Sequence, residues 1–93
     1  MSLFEVNEVW IPVMGARVLD DIAFKVMLEQ IRAALGPGSA VAGSVSRVLV
    51  TVKVEARSEE KAKMLGNTRI AEVMRNRPFI IDGTTPRTAV DLG

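Results

Sequence analysis

Between Arg47 and Arg77 the chain spells one strand followed by one helix, and this pair constrains the fold more than any other stretch. Val48, Val50, Val52, Val54 and Ala56 alternate with Leu49, Thr51, Lys53, Glu55 and Arg57. Successive side chains of a strand point to opposite faces, so one face is β-branched and the other mostly polar. Ser58 then stands where its side-chain oxygen can accept from the free N–H groups of a new helix. Glu59 and Glu60 follow in the first turn, where the helix dipole favours negative charge. The segment implies a sheet with one covered face and one wetter face, and a helix returning across it. It contains no catalytic signature.

Ninety-three residues suffice for a single domain over 1–93 and are too few for two. The chain is 48% hydrophobic but only 4% aromatic, so aliphatic side chains carry the core, with Phe4, Trp10, Phe24 and Phe79 as its few large pieces. A small domain this apolar is expected to hide part of its surface in a partner, commonly another copy of itself. Cysteine, histidine and tyrosine are all absent. That removes a disulfide frame, thiol chemistry, the usual general base and the commonest transition-metal ligand. Catalysis of the Ser–His or Cys–His kind is excluded within one chain, and the expectation is a non-enzymatic protein with no cofactor and no metal.

The net charge is +1, with three bases and five acids up to Ser46 and nine bases and six acids from Arg47 on. So slight an imbalance creates no strong field for nucleic acid or an anionic membrane. The most apolar helix candidate, Leu19 to Leu35, is interrupted by Asp20, Asp21, Lys25, Glu29, Gln30 and Arg32, so no membrane span is expected. No basic-then-apolar leader opens the chain, which makes the cytoplasm the default location.

Phe4 to Met14 reads as the first strand. Val9, Ile11 and Val13 form one face; Phe4, Val6, Trp10 and Met14 form the other, with Glu8 interrupting. Apolar groups on both faces imply a strand covered on both sides. Pro12 points to an edge or a bulge near the strand's end, and Gly15 breaks it. Asp20 is placed to cap a helix that runs to about Leu35 and stops at Gly36-Pro37-Gly38. Asp21–Lys25 and Glu29–Arg32 are suited to ion pairs along its one polar stripe. Around them the apolar arc is wider than one sheet face needs, with Gln30 awkwardly in its middle. Ala40-Val41-Ala42 reads as a short strand turning at Gly43-Ser44 into the long one. The alternative is a single long strand with a bulge at Gly43.

The second helix is expected from Glu59 to about Asn76, with Ala62, Leu65, Gly66, Ile70, Val73 and Met74 inward and Gly66 allowing close approach to the sheet. Arg77-Pro78 ends it, Phe79-Ile80-Ile81 reads as a short buried strand, and Asp82-Gly83 marks a turn. Thr84 to Gly93 is expected to be a flexible tail or one ordered by a partner. The order β-α-(β)-β-α-β implies an α+β two-layer sandwich of ferredoxin-like type, an antiparallel sheet with two helices on one face. That architecture hosts many functions and selects none.

Three groups of residues are candidates for chemistry. Asp20 and Asp21, with Glu5 or Glu8, could be asked to hold Mg²⁺, but helix-start acids serve the dipole, and a hard cation needs more convergent oxygens. Gly36-Pro37-Gly38-Ser39 follows a helix, so it is a cap and connector rather than a phosphate loop. Lys53, Arg57, Lys61 and Arg75 form the possible nucleic-acid contact; acids are interleaved with them, and the strand lacks the aromatic rings on which bases stack. The apolar arc of the first helix is the feature expected to matter for function. Ile22, Phe24, Leu28, Ile31 and Leu35, together with Trp10, are the expected oligomer interface. The reading is a self-associating domain, a homodimer or higher, acting in protein–protein interaction or assembly. The alternatives are a nucleic-acid-binding module and, behind it, a small-ligand binder or enzyme at a subunit interface relying on Asp20, Glu8, Arg47 or Arg17.

Overall fold

The computed structural model describes residues 1–13, 20–44 and 46–93; the expectations placed on Met14, Gly15, Arg17 and Leu19 lie outside them. Strand β1 (Ser2–Pro12) leads to helix α1 (Asp21–Leu35), the hairpin β2 (Ala40–Ser44) and β3 (Arg47–Ala56), helix α2 (Glu59–Met74), and two short strands, β4 (Phe79–Ile81) and β5 (Thr88–Asp91). The sheet is antiparallel with the order β2-β3-β1-β4, and β5 also pairs with β1. This is an α+β chain, compatible with a two-layer sandwich.

The period-two reading holds along the sheet. Phe4 faces Val54, Val6 faces Val52, Glu8 faces Val50 and Trp10 faces Val48 across the β1–β3 ladder. These even-numbered positions enter one core with Phe24, Met27, Ile31 and Leu35 of α1 and Ala62, Ile70 and Met74 of α2. Both helices therefore share a single face of the sheet. The odd-numbered positions form the opposite face, which no described helix or strand covers. Pro12 needs no ladder partner toward β3, because that ladder stops at Trp10↔Val48.

The helix ends follow their local chemistry. Asp20 Oδ1 accepts from the Ala23 N–H at 2.8 Å, and Ser58 Oγ accepts from the Lys61 N–H at 3.2 Å. Gly36, with φ of 90°, closes α1, and its N–H donates to the Arg32 carbonyl. Arg69 of α2 donates to the last α1 carbonyl, Leu35 O, at 2.6 Å and to Lys53 O of β3 at 3.0 Å, tying three elements together. Gly66 is where α2 meets the sheet: a Cβ there would lie 2.6 Å from Val6 Cγ1. Glu29 and Arg32 pair at 2.5 Å, whereas Asp21 and Lys25 form no ion pair.

The structure differs from the sequence expectations at two places and decides between two readings at a third. Residues 88–91 are a strand on β1 of the same chain, extended by the Leu92 N–H donating to Leu3 O at 2.7 Å. A β1 edge left free beyond β4 is what orders them. For 40–56 the expected hairpin holds and the alternative of one long strand falls, since Ala40 to Ser44 pair with Thr51 to Arg47. Gln30 is exposed, because the inward arc of α1 is narrower than its apolar composition.

Candidate functional site

The core-facing side of β1 contains one carboxylate. Glu8 is 1% exposed, between Val6 and Trp10 along the strand and opposite Val50. A buried carboxylate is tolerated only when its oxygens are satisfied by donors, preferably charged ones. Glu8 Oε1 accepts from Trp10 Nε1 at 3.3 Å; Oε2 accepts from Asn67 Nδ2 at 2.8 Å and from Arg87 Nε, which also forms its ion pair. Each donor has a structural reason to be there. Gly66 lets α2 settle onto Val6, which brings the next residue, Asn67, over Glu8. The β5 register, in which Thr88 faces Asn7, places Arg87 opposite Glu8. No buried side-chain polar atom among the described residues lacks a partner, so this cluster is a closed clamp rather than an open site.

The other face of the sheet is divided. One end is polar: Glu5 faces Lys53, and Thr51 Oγ1 donates to Asn7 Oδ1 at 2.6 Å. The other end is apolar. Val9 faces Leu49, Ile11 faces Ile80, and Val13 follows. Leu49 is 45% exposed and Ile80 52% exposed. A groove of about 500 Å³ opens there, with Val9, Ala42 and Leu49 in its lining and Arg47 among its borders. Arg47 reaches across β1, its Nη2 donating to Thr85 Oγ1 at 3.4 Å. Thr85 and Thr84 in turn donate to the Asp82 carboxylate, Thr85 Oγ1 to Oδ2 and Thr84 Oγ1 to Oδ1, each at 2.7 Å. These bonds, first from Thr84 and then from Thr85, with Arg47 adding a smaller charge effect, hold the Asp82 carboxyl down at about 2.

The six residues expected at an interface separate sharply. Phe24, Ile31, Leu35 and Trp10 are taken up by the chain's own core, so they are not available to a partner. Leu28 is half-buried and packs against that core. Ile22 alone is open, at 78% exposure, and Val26, one turn on, is its exposed apolar neighbour. The physical reason is that α1 must pack on β2 and meet α2 while filling the shared core with the same stripe, which consumes the bulk of its arc.

The four basic candidates do not share a surface. Arg57 and Lys61 line one groove with Met1, Glu55, Ala56, Ser58 and Leu65. Lys53 lies on the open sheet face opposite Glu5. Arg75 caps the far end of α2, roughly 21 Å along the helix from Lys61 at 1.5 Å per residue. All of the aromatic residues, Phe4, Trp10, Phe24 and Phe79, are buried, so none presents a ring for base stacking. Asp20 and Asp21 are not joined by Glu5 or Glu8, and no group of three acids suited to a metal occurs among the described residues. No described helix is long and apolar enough to cross a membrane.

The sequence carried a signal for the open-face patch: Val9, Ile11 and Val13 make β1 apolar on both faces. What it lacked was Leu49 and Ile80 as neighbours, since register across strands decides that. No family model matches the chain, and neither a curated protein nor a solved structure matches it, so its functional reading rests on its own residues.

Proposed function

We propose that this chain is a non-enzymatic, self-associating domain that acts in protein assembly, and that a second copy covers the open face of its sheet. The observation that carries this reading is the exposed pair Leu49 and Ile80, which with half-buried Ile11 and buried Val9 make an apolar surface drawn from three strands, with no described helix or strand over it. A face four strands wide at ~4.8 Å and about eight residues long at ~3.3 Å spans roughly 500 Å² in projection, and more along its side chains. A standard stable interface buries ~800 Å² per partner, which is the same scale. The polar half of the face carries both signs of charge, with Lys53 opposite Glu5 and next but one to Glu55. A balanced face of this kind suits a copy of itself rather than a polyanion.

The strand order supports the ferredoxin-like reading of the sandwich, with β1 and β3 central and β2 and β4 flanking, to which β5 adds an extra strand. The candidates for catalysis support a non-enzymatic role. The Glu8 oxygens are occupied by donors, Asp20 is spent as a helix cap, and Arg47 is held by Thr85. Localisation in the cytoplasm remains part of the proposal, consistent with the absence of cysteine.

Light scattering on the protein as it leaves a sizing column, with absorbance at 260 and 280 nm, tests this reading. The expected result is a multiple of the 10.1 kDa chain mass without excess 260 nm absorbance. Leu49→Glu with Ile80→Glu is expected to lower that mass while the far-ultraviolet spectrum stays unchanged. Ile22→Glu is expected to leave the mass as it was. A monomeric wild-type chain would overturn the proposal, and so would a mass that falls with Ile22→Glu alone. A peak bearing nucleic acid that salt removes would instead favour the Arg57–Lys61 groove.

A further inference from the structure

The two edges of the sheet are built differently. Along one edge, β4 and β5 both lie on β1, and their registers differ by four residues: Asp82 follows Ile81 to a position opposite Val9, while Arg87 precedes Thr88 opposite Glu8. The intervening Gly83–Pro86 segment is looped out of an otherwise continuous edge strand. Asp82 holds that loop through Thr84 and Thr85, and Pro86, Arg87 and Asp91 flank or follow it. Bulges, prolines and charges are the devices by which proteins stop a further strand from adding to an edge.

The opposite edge has none of them. Strand β2 is Ala40-Val41-Ala42-Gly43-Ser44, with no charge and no proline, and all of its residues but Val41 are exposed. It pairs with β3 over its whole length, and no described residue pairs with its outer side.

We propose that this edge accepts β2 of a second copy, antiparallel, about a twofold axis through Ala42, so that two sheets run on as one. Charge selects the occupant. In a twofold pairing the central residue faces itself and its neighbours face one another in symmetric pairs, so any charge would bring like against like or demand an exact counter-charge. A strand without charges avoids this. Ala40 then lies opposite the partner's Ser44, and Val41 opposite the partner's Gly43, so the larger side chain meets the one with none. A strand of a different protein would be chosen by charges or deep pockets along the edge, and the β2 side chains are too small and uncharged to choose. The pairing is short, so it forms as concentration rises. It does not depend on the open-face proposal, since edge and face are separate surfaces.

Two experiments test the pairing. Amide hydrogen exchange on the wild-type chain should show Ala40–Ser44 becoming more protected as protein concentration increases, and the same should hold for Leu49→Glu. Ala42→Lys and Ala42→Glu should each halve the mass seen by light scattering, whichever way the open face stands. Mixing the two variants should restore it, because opposite charges then meet at the axis. Exchange that is independent of concentration would overturn the pairing, as would variant masses equal to the wild type or a mixture that fails to recover. Should the Ala42 variants not fold, the exchange measurement on the wild-type chain decides alone.

Discussion

The two faces of β1 teach opposite lessons about how a small domain spends its side chains. The covered face holds a carboxylate, Glu8, while the open face holds Val9 and Ile11. On the covered side the charge is stable because three donors converge on it, from β1, from α2 and from the residue just before β5. On the open side Val9 is buried as well, but Leu49 and Ile80 beside it stay exposed, and no described helix or strand lies over them. One face is complete within a single chain, and the other leaves Leu49 and Ile80 exposed.

Removing Arg87 attacks the complete face most severely. Arg87→Ala leaves the Glu8 carboxylate buried without its cation, and breaking such a pair costs about 3 kcal/mol. Adding Glu8→Gln should recover part of that loss, because a neutral amide needs no counter-charge. Denaturant titration of the single and double variants measures both, and a stability unchanged by Arg87→Ala would show that the clamp is not holding the fold.

Gly66→Ala comes next. The new methyl group would meet Val6 at 2.6 Å. Overpacking of this kind costs ~1–3 kcal/mol, against which alanine returns about 1 kcal/mol of helix propensity. A net loss is expected, and it should shrink when Val6→Ala is added. If Gly66→Ala stabilised the protein, the close approach that brings Asn67 to Glu8 would be disproved.

On the open face the same scale of change should do little to folding. Leu49→Glu is expected to alter the stability of the isolated chain by no more than about 0.5 kcal/mol, as surface substitutions do. Thermal unfolding at the lowest workable concentration checks this. A large loss would mean that Leu49 belongs to the chain's own core, and the contrast between the faces would collapse.

The smallest effect concerns Asp82. Its carboxyl titrates at about 2 rather than its ordinary 3.8 because the folded loop stabilises the charged form. The resulting stabilisation is complete above 3.8 and is lost as the pH falls through about 2. Amide resonances of Thr84 and Thr85 should therefore shift with a midpoint near 2 rather than near 3.8. Asp82→Asn should abolish that shift.

Several of these features were legible in the sequence. The alternation of β3, the caps at Asp20 and Ser58, the glycine stop after α1 and the need for Gly66 all depend on residues that are near neighbours or on plain side-chain size. Glu8 stood out as an interruption of an apolar face, but its partners did not, because Asn67 and Arg87 lie 59 and 79 residues away along the chain. The apolar arc of α1 looks surplus in sequence, yet four of the six residues expected at an interface fill the core, since one stripe of α1 must serve both the sheet and α2. Ile80 looks buried within its short apolar run but is exposed, because periodicity cannot say whether a face will be covered.

The sequence by itself therefore determined the course of β3 and the starts of both helices, since backbone preference, capping and side-chain alternation act over a few residues. Only the tertiary structure decided which sheet face closed and which stayed open, why β5 returned to β1, and how a buried carboxylate came to be satisfied. Those outcomes depend on register between strands distant in sequence, where contact is made across space rather than along the chain.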